Sequence, residues 1–133
     1  MGRNIAFVLG AFHSDAISVM RDAARTTAAA ADLIIVEEVT VPGSMEKPLA
    51  LKRLLQRDDI DGAVALGIIE RGETDHGLVM GHAVISAIIS LQLELMKPIG
   101  VGILGPGIHP SQFASRLEPY GRDAVVALAR MLA

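Results

Sequence analysis

The residues with the clearest chemical potential lie between Ala65 and His76, where an apolar run meets a glycine-punctuated polar turn and then a long apolar segment. This pattern predicts a strand, a tight loop and the start of a helix. Ligands bind beyond the carboxyl ends of parallel strands, and the first turn of a helix offers free N–H groups to an anion. Thr74 or Asp75 can cap the helix, which puts His76 in its first turn. We interpret the stretch as an anion site beside a proton-exchanging histidine; the alternative is an ordinary loop with a solvated histidine.

The cation that faces such an anion is either Arg71, inside the loop, or Arg116, further along the chain. The glycines between Gly100 and Gly105 do not form a nucleotide motif, because they lie in an apparent strand and do not lead into a helix. No metal site is predicted, since the spacing of His76 and His82 puts them on opposing sides of a helix. No serine lies in a nucleophile-elbow sequence. Proton transfer combined with anion binding is the chemistry that remains.

The composition predicts one domain over residues 1–133, with 51% hydrophobic residues and a single core. A net charge of −3 without a Lys/Arg cluster argues against nucleic acid and anionic membrane as partners. The chain has no cysteine and no signal-peptide pattern. We therefore expect a cytoplasmic protein without disulfides.

One apolar segment, Gly77 to Leu93, approaches the length of a membrane span. We expect it not to cross a membrane, because polar residues interrupt it and Asp75 and Glu94 flank it. A helix that is apolar nearly all round is buried on more than one side. The segment therefore predicts a helix that packs on its own sheet and on another subunit.

Short apolar runs that end at glycine or turn residues predict four strands. The second run alternates in its later half, which is typical of an edge strand. The predicted strands are Asn4–Leu9, Leu33–Val41, Ala63–Gly67 and Ile99–Leu104.

Helices are predicted between and after these strands, with caps at Ser14 or Asp15 and at Ser111. The last helix is expected to be interrupted near Pro119, and Gly105 to Gly107 is expected to be a sharp turn. The predicted helices run from the first cap to about Ala31, from the Pro42–Pro48 turn to about Arg57, from about Asp75 to Met96, and from Ser111 to Met131.

Alternation of strand and helix implies right-handed crossovers and a parallel sheet covered on both faces. The fold class that follows is an α/β three-layer, flavodoxin-like sandwich with a four-stranded parallel sheet. In this topology three loops meet at one rim, namely Phe12-His13, Ser44 to Glu46, and Ile68 to His76.

Three segments resemble the signature loops of the 6,7-dimethyl-8-ribityllumazine synthase family, in order and at the family's spacing. They are Gly10 to His13, Val41 to Pro48 and Leu66 to His76, and the resemblance spans nearly the whole chain. The third segment is the most specific of them. The region from Gly105 to Gly121 is most similar to the archaeal branch.

The resemblance implies an enzyme of riboflavin synthesis that condenses 5-amino-6-ribitylaminouracil with 3,4-dihydroxy-2-butanone 4-phosphate, losing phosphate and water. It implies no metal and no redox cofactor. It also implies self-association into pentamers, either alone or built into larger shells.

For the pyrimidine substrate, the resemblance implies that Phe12 stacks on the ring and that main-chain groups of Ile68 and Ile69 bind the uracil edge. Val101 stands where some members bring an aromatic side chain from the neighbouring subunit. The ribityl chain would be held by Ser44, Met45 and Glu46, with His13 at the position of a usual asparagine.

For the phosphate substrate, the resemblance implies contacts from Gly72, Glu73 and Thr74 at the start of a helix. Arg116 of a neighbouring subunit would neutralise the phosphate, and His76 would shuttle protons. These roles agree with the anion site and histidine inferred from the residues themselves.

Two alternatives stay open at this point. The archaeal-type riboflavin synthase shares the fold and uses the lumazine as its substrate, although the loop from Gly72 to His76 favours the lumazine synthase. The other alternative is a non-catalytic protein that binds flavin or lumazine or forms a shell. Which substrates give a fluorescent product discriminates between them.

Overall fold

The computed structural model describes residues 2–133, which form four strands and four α-helices in alternation. Short 3-10 turns at Ser44–Glu46 and Pro110–Gln112 precede the second and fourth helices. The strands are β1 (Arg3–Gly10), β2 (Leu33–Val41), β3 (Gly62–Glu70) and β4 (Ile99–Ile108). The helices are α1 (Ser14–Ala30), α2 (Lys47–Leu55), α3 (His76–Leu95) and α4 (Ala114–Leu132).

All four strands pair in parallel in the order β2-β1-β3-β4. The predicted α/β three-layer fold with a four-stranded parallel sheet is therefore confirmed, as is the edge position of β2. The chain moves outward from β1 to β2 and then returns to place β3 on the other side of β1. The carboxyl ends of β1 and β3 thus flank the topological switch point, where ligands bind in sheets of this kind.

Side chains that alternate along the strands build two cores, one on each face of the sheet. On β1, Ile5, Phe7 and Leu9 belong to the core under α1 and α4, whereas Ala6 and Val8 face α2 and α3. All of these are buried. Covering both faces explains why the central strands are apolar without interruption.

Helix α4 packs directly on β4 because that strand presents glycine to it. A Cβ at Gly100 would overlap the main-chain carbonyl of Ala124, and one at Gly102 would lie 2.9 Å from the Tyr120 carbonyl oxygen. Gly100 and Gly102 therefore serve helix–sheet packing.

Several predicted boundaries are wrong near the carboxyl ends of strands. Strand β3 continues to Glu70 because β4 runs beside it, and β4 continues through Gly105 to Gly107 as far as Ile108, which pairs with Glu70. The predicted sharp turn at Gly105 to Gly107 thus lies within the bounds of β4, as an unpaired irregularity between the Ile68–Leu104 and Glu70–Ile108 pairs. Gly105 and Gly107 have positive φ, 94° and 85°, a conformation that glycine adopts more readily than other residues.

Two predicted helix starts are also wrong. His13, in the left-handed conformation at φ 57°, precedes α1 in the place predicted for Ser14 or Asp15. Ser111 lies inside the 3-10 turn, which is closed by the main-chain N–H of His109 donating to Gln112 Oε1 at 2.9 Å. Helix α4 then continues through Pro119, so the interruption expected there is wrong.

Helix α3 satisfies the length and hydropathy of a membrane span, with a mean hydropathy of 1.7 over its most apolar window, of which 22% is buried. It is, however, the crossover between β3 and β4, which are neighbouring parallel strands. Gly81, Val84 and Ile88 face the sheet. The outer face exposes apolar residues instead, among them Val79, Ile89 and Leu93.

Candidate functional site

Two adjoining loops and the end of β3 form a crevice at the switch point of the sheet. The loop after β1 brings Phe12, the turn before α2 brings Ser44 to Glu46, and β3 brings Ile68. The predicted convergence of these segments on one rim is therefore confirmed.

The first cavity of this crevice has a volume of about 190 Å³ and lies over the switch point. Phe12 forms one wall, and its ring is 69% exposed, so a flat ligand can stack on it. The ring is near the main chain at Gly43, where a Cβ would lie 3.4 Å from it. The cavity is lined by Phe12, Gly43, Ser44, Met45, Glu46, Ile68 and Met80.

The second cavity has a volume of about 220 Å³ and lies at the first turn of α3. The main-chain N–H of Arg71 donates to the Ile108 carbonyl at 2.8 Å, which anchors the loop to the end of β4. Asp75 is the N-cap residue of α3 but its side chain makes no capping hydrogen bond, and Thr74 Oγ1 accepts the His76 main-chain N–H at 3.3 Å. The cavity is lined by Arg71, Gly72, Thr74, Asp75, Gly77, Leu78 and Gly107.

Both cavities border the first two turns of α3, and their linings differ in character. The first is mainly apolar with a carboxylate and a hydroxyl at its edge. The second is lined by one arginine and one aspartate together with main-chain groups at a helix start. A helix start favours negative charge. The crevice can hold a planar molecule beside an anionic one.

Some predicted site residues are next to residues that line these cavities but do not line the cavities of their own chain. His76 is exposed at the start of α3, and Glu73 is exposed in the loop before it. Ile69 is buried with its side chain in the core, which leaves only its main chain to face a ligand.

Three other predicted site residues lie further away within one chain. His13 points to the opposite side of the rim, with Nε2 3.3 Å from a Glu70 carboxylate oxygen and its ring edge-on to Phe113 at 5.1 Å. Val101 lies near the start of β4, which is an edge strand of the sheet. Arg116, in the first turn of α4, donates to the Gln112 carbonyl of the preceding 3-10 turn at 2.9 Å.

The structure also brings together residues that sequence reasoning did not select, chiefly Lys47. This side chain is fully buried, and its ammonium donates to Ser44 Oγ at 3.1 Å. Burial lowers the pKa of Lys47 from 10.5 to about 8, against the field of Glu46, which raises it. A lysine in a polar turn before a proline is ordinarily exposed to solvent, so only the tertiary structure reveals that this one is buried.

Burial of this ammonium predicts that Lys47→Met stabilises the fold. We expect the free energy of unfolding to rise by about 2 kcal/mol at pH 7, because a desolvated cation is replaced by an apolar chain of similar length. The wild-type protein should gain stability as the pH rises from about 8 to 10.5, since the unfolded chain then binds the extra proton. Denaturant titrations across this pH range test both effects.

The matched control is Lys52→Met on the same helix. Lys52 is exposed and pairs with Glu94 at 3.2 Å, so its loss should change stability by no more than about 0.5 kcal/mol. Equal stability of wild type and Lys47→Met at pH 7 would contradict burial of a charged Lys47.

Among residues 2–133 no group of three or more His, Cys, Asp or Glu side chains is placed to hold a metal ion.

A doubly wound parallel sheet with a two-part crevice at its switch point defines a class of α/β proteins that bind small molecules beyond the strand ends. Within that class, the sequence profile described as 6,7-dimethyl-8-ribityllumazine synthase matches residues 2–133. The chain belongs to the 6,7-dimethyl-8-ribityllumazine synthase family.

Curated relatives with that name come from several archaea. The chain is 38% identical to the protein of Methanococcus maripaludis strain C5 over 128 residues, which cover 96% of this chain and 93% of the relative. It is 35% identical to that of Methanocaldococcus jannaschii over 129 residues, covering 97% and 91%. It is 38% identical to that of Metallosphaera sedula over 127 residues, covering 96% and 84%.

Proposed function

We propose that this protein is a 6,7-dimethyl-8-ribityllumazine synthase, a transferase of riboflavin biosynthesis. It condenses 5-amino-6-ribitylaminouracil with 3,4-dihydroxy-2-butanone 4-phosphate and releases phosphate and water. The observation that carries the proposal is that the loops by which the sequence resembles the family surround one crevice. No metal or redox cofactor is needed for this reaction.

In this proposal the first cavity binds the ribitylaminouracil. The exposed ring of Phe12 stacks on the pyrimidine, and the main chain of Ile68 and Ile69 binds the uracil edge. Ser44 and Glu46 hold the ribityl chain, because a hydroxyl and a carboxylate suit a row of alcohol groups.

The second cavity binds the phosphate of the butanone substrate. Main-chain N–H groups around Gly72 and the Thr74 hydroxyl face it, and Arg71 supplies positive charge within the same chain. Arg116 adds a second guanidinium from the neighbouring subunit. Holding the two substrates side by side raises the rate of the condensation by proximity.

His76 serves as the proton carrier in this arrangement. It follows the phosphate-binding loop directly and begins α3, between Asp75 and Gly77, which both line the second cavity. No group of residues 2–133 hydrogen-bonds this imidazole, which leaves the ring free to accept a proton from the substrate amine and return it to a leaving group.

The direct test is incubation with both substrates while the lumazine absorbance is recorded. We expect the absorbance to rise only when both are present. Turnover of 6,7-dimethyl-8-ribityllumazine to a flavin would instead identify a riboflavin synthase, and ligand binding without turnover would identify a non-catalytic binding protein.

We further propose that the protein acts as a pentamer, alone or within a larger shell, and that it is cytoplasmic. The exposed apolar face of α3 supports self-association, since Leu93 is 72% exposed and Val79 and Ile89 lie on the same outer side. The absence of cysteine is compatible with a reducing compartment.

Assembly leads to a prediction for Ile89, whose side chain is 51% exposed in one chain. We expect light scattering to give the mass of a pentamer or of a multiple of it for the wild-type protein. Ile89→Glu should lower that mass and abolish activity, because it buries an unpaired carboxylate in the interface. The exposed substitution Ser115→Glu on another helix is the control, and an active wild-type monomer would contradict the proposal.

A further inference from the structure

Lys47 lies directly beneath the crevice, between the two central strands. A Cβ at Gly67 would lie 2.5 Å from Lys47 Nζ, and a Cβ at Gly10 would lie 3.0 Å from it. Glycine at both positions thus leaves room for the ammonium at the carboxyl ends of β1 and β3. The switch point of the sheet is built around this group.

The ammonium is poorly satisfied where it lies. It carries three donors, but among residues 2–133 only Ser44 Oγ accepts from it. It also stands at the start of α2, where the helix dipole disfavours a positive charge. Glu46 is the charged group whose field acts on it, while the two strands face it with glycine.

Lys47 does not line the first cavity, whereas Ser44 does. The lysine can therefore reach a ligand there only through that serine. An ammonium has no lone pair, so Ser44 Oγ must accept from it and direct its own proton elsewhere. The exposed side of Ser44 is the cavity wall.

Resting on the proposed function, we propose that Lys47 is a positioning residue that holds Ser44 as a hydrogen-bond donor to the ribityl chain of the pyrimidine substrate. A serine hydroxyl alone rotates freely between donor and acceptor roles. The buried ammonium removes that freedom before the substrate arrives, which is preorganisation of a binding group. The destabilising charge is retained because it orients this hydroxyl.

Neutralising Lys47 should release Ser44. A neutral amine can accept the serine proton, which withdraws the donor from the ligand. Affinity for ribitylaminouracil should therefore weaken as the pH rises through the pKa of Lys47, about 8 in the free protein. The same pH change should leave the affinity of the Lys47→Met variant unaltered.

The experiment compares wild type, Lys47→Met, Ser44→Ala and the double variant. Calorimetric titration with ribitylaminouracil alone should give a loss of about tenfold for each single variant, the size of one hydrogen bond. The double variant should lose no more than Ser44→Ala, because the lysine acts through the serine. In these variants KM for the butanone phosphate and kcat should stay near the wild-type values. The control variant Lys52→Met should match the wild type in affinity, KM and kcat.

Each remaining outcome counts against the proposal. Equal losses for both substrates, or additive losses in the double variant, would mean a structural role for Lys47, and unchanged affinity would mean no role. Failure of the proposed function would show in the wild-type protein, because it would form no lumazine from the two substrates. This result does not depend on what the variants bind.

Discussion

Replacing His76 by alanine is expected to lower kcat about a hundredfold at neutral pH, with little change in either KM. The value is at the lower end of the range of about 10²–10⁴ for general acid–base groups, because the substrate amine and phosphate can also move protons. The side chain is exposed at the start of α3 and supports no packing, so the fold should be unaffected. Steady-state kinetics with the lumazine absorbance measure the effect.

Two controls separate proton transfer from damage to the helix. His82→Ala removes another exposed histidine from α3 and should keep kcat near wild type. Added imidazole should restore part of the rate of His76→Ala, because a free base can enter the open site. Full activity of His76→Ala without imidazole would remove this histidine from the mechanism.

Arg116→Ala is expected to weaken the butanone phosphate by one to two orders of magnitude, since a charge-assisted contact contributes roughly 1.5–3 kcal/mol. Affinity for the pyrimidine should hardly change, because Phe12 and the main chain of Ile68 and Ile69 bind it elsewhere. Arg116→Lys should restore only part of the affinity, since a point charge replaces a planar fork. Separate titrations with each substrate measure these differences.

The source of the arginine can be tested by mixing subunits. Within its own chain Arg116 is held by Gln112 and does not line the second cavity. If it completes a neighbour's site, oligomers reassembled from Arg116→Ala and His76→Ala subunits should regain activity in about one quarter of their sites. No gain over the parent variants would place both groups in the same subunit's site.

Arg71 provides the contrasting result. It lines the second cavity from the same chain, so Arg71→Ala should not be complemented by a His76→Ala partner. Loss of phosphate affinity in Arg71→Ala together with an unaffected Arg116→Ala would mean that Arg71 alone neutralises the phosphate.

The sequence predicted the elements well wherever a local pattern sufficed. Apolar runs identified all four strands, and Leu33–Val41 agrees with β2 in both bounds. The errors lie where a neighbour decides the conformation. Strand β3 extends past Gly67 because Ile68 pairs with Leu104 and Glu70 with Ile108, and Gly105 to Gly107 form the irregularity in β4 between those two pairs. Pairing partners distant in the chain cannot be read from a local pattern.

The site was predicted as a set of loops and not as a set of contacts. Ser44, Met45 and Phe12 meet around one cavity as the topology implies. His13, by contrast, turns to Glu70 and Phe113 because its main chain is left-handed, a state that its residue type does not reveal.

The sequence by itself determined the class of fold, the family and the loops that form the crevice, because each depends on patterns within short segments. The tertiary structure alone decided the position of Lys47. In the sequence it is one of two charged residues in a polar turn, and it becomes a buried cation only when folding brings Gly10 and Gly67, from two separate strands, next to its ammonium. Burial, and the lowered pKa that follows from it, arise from packing between distant segments.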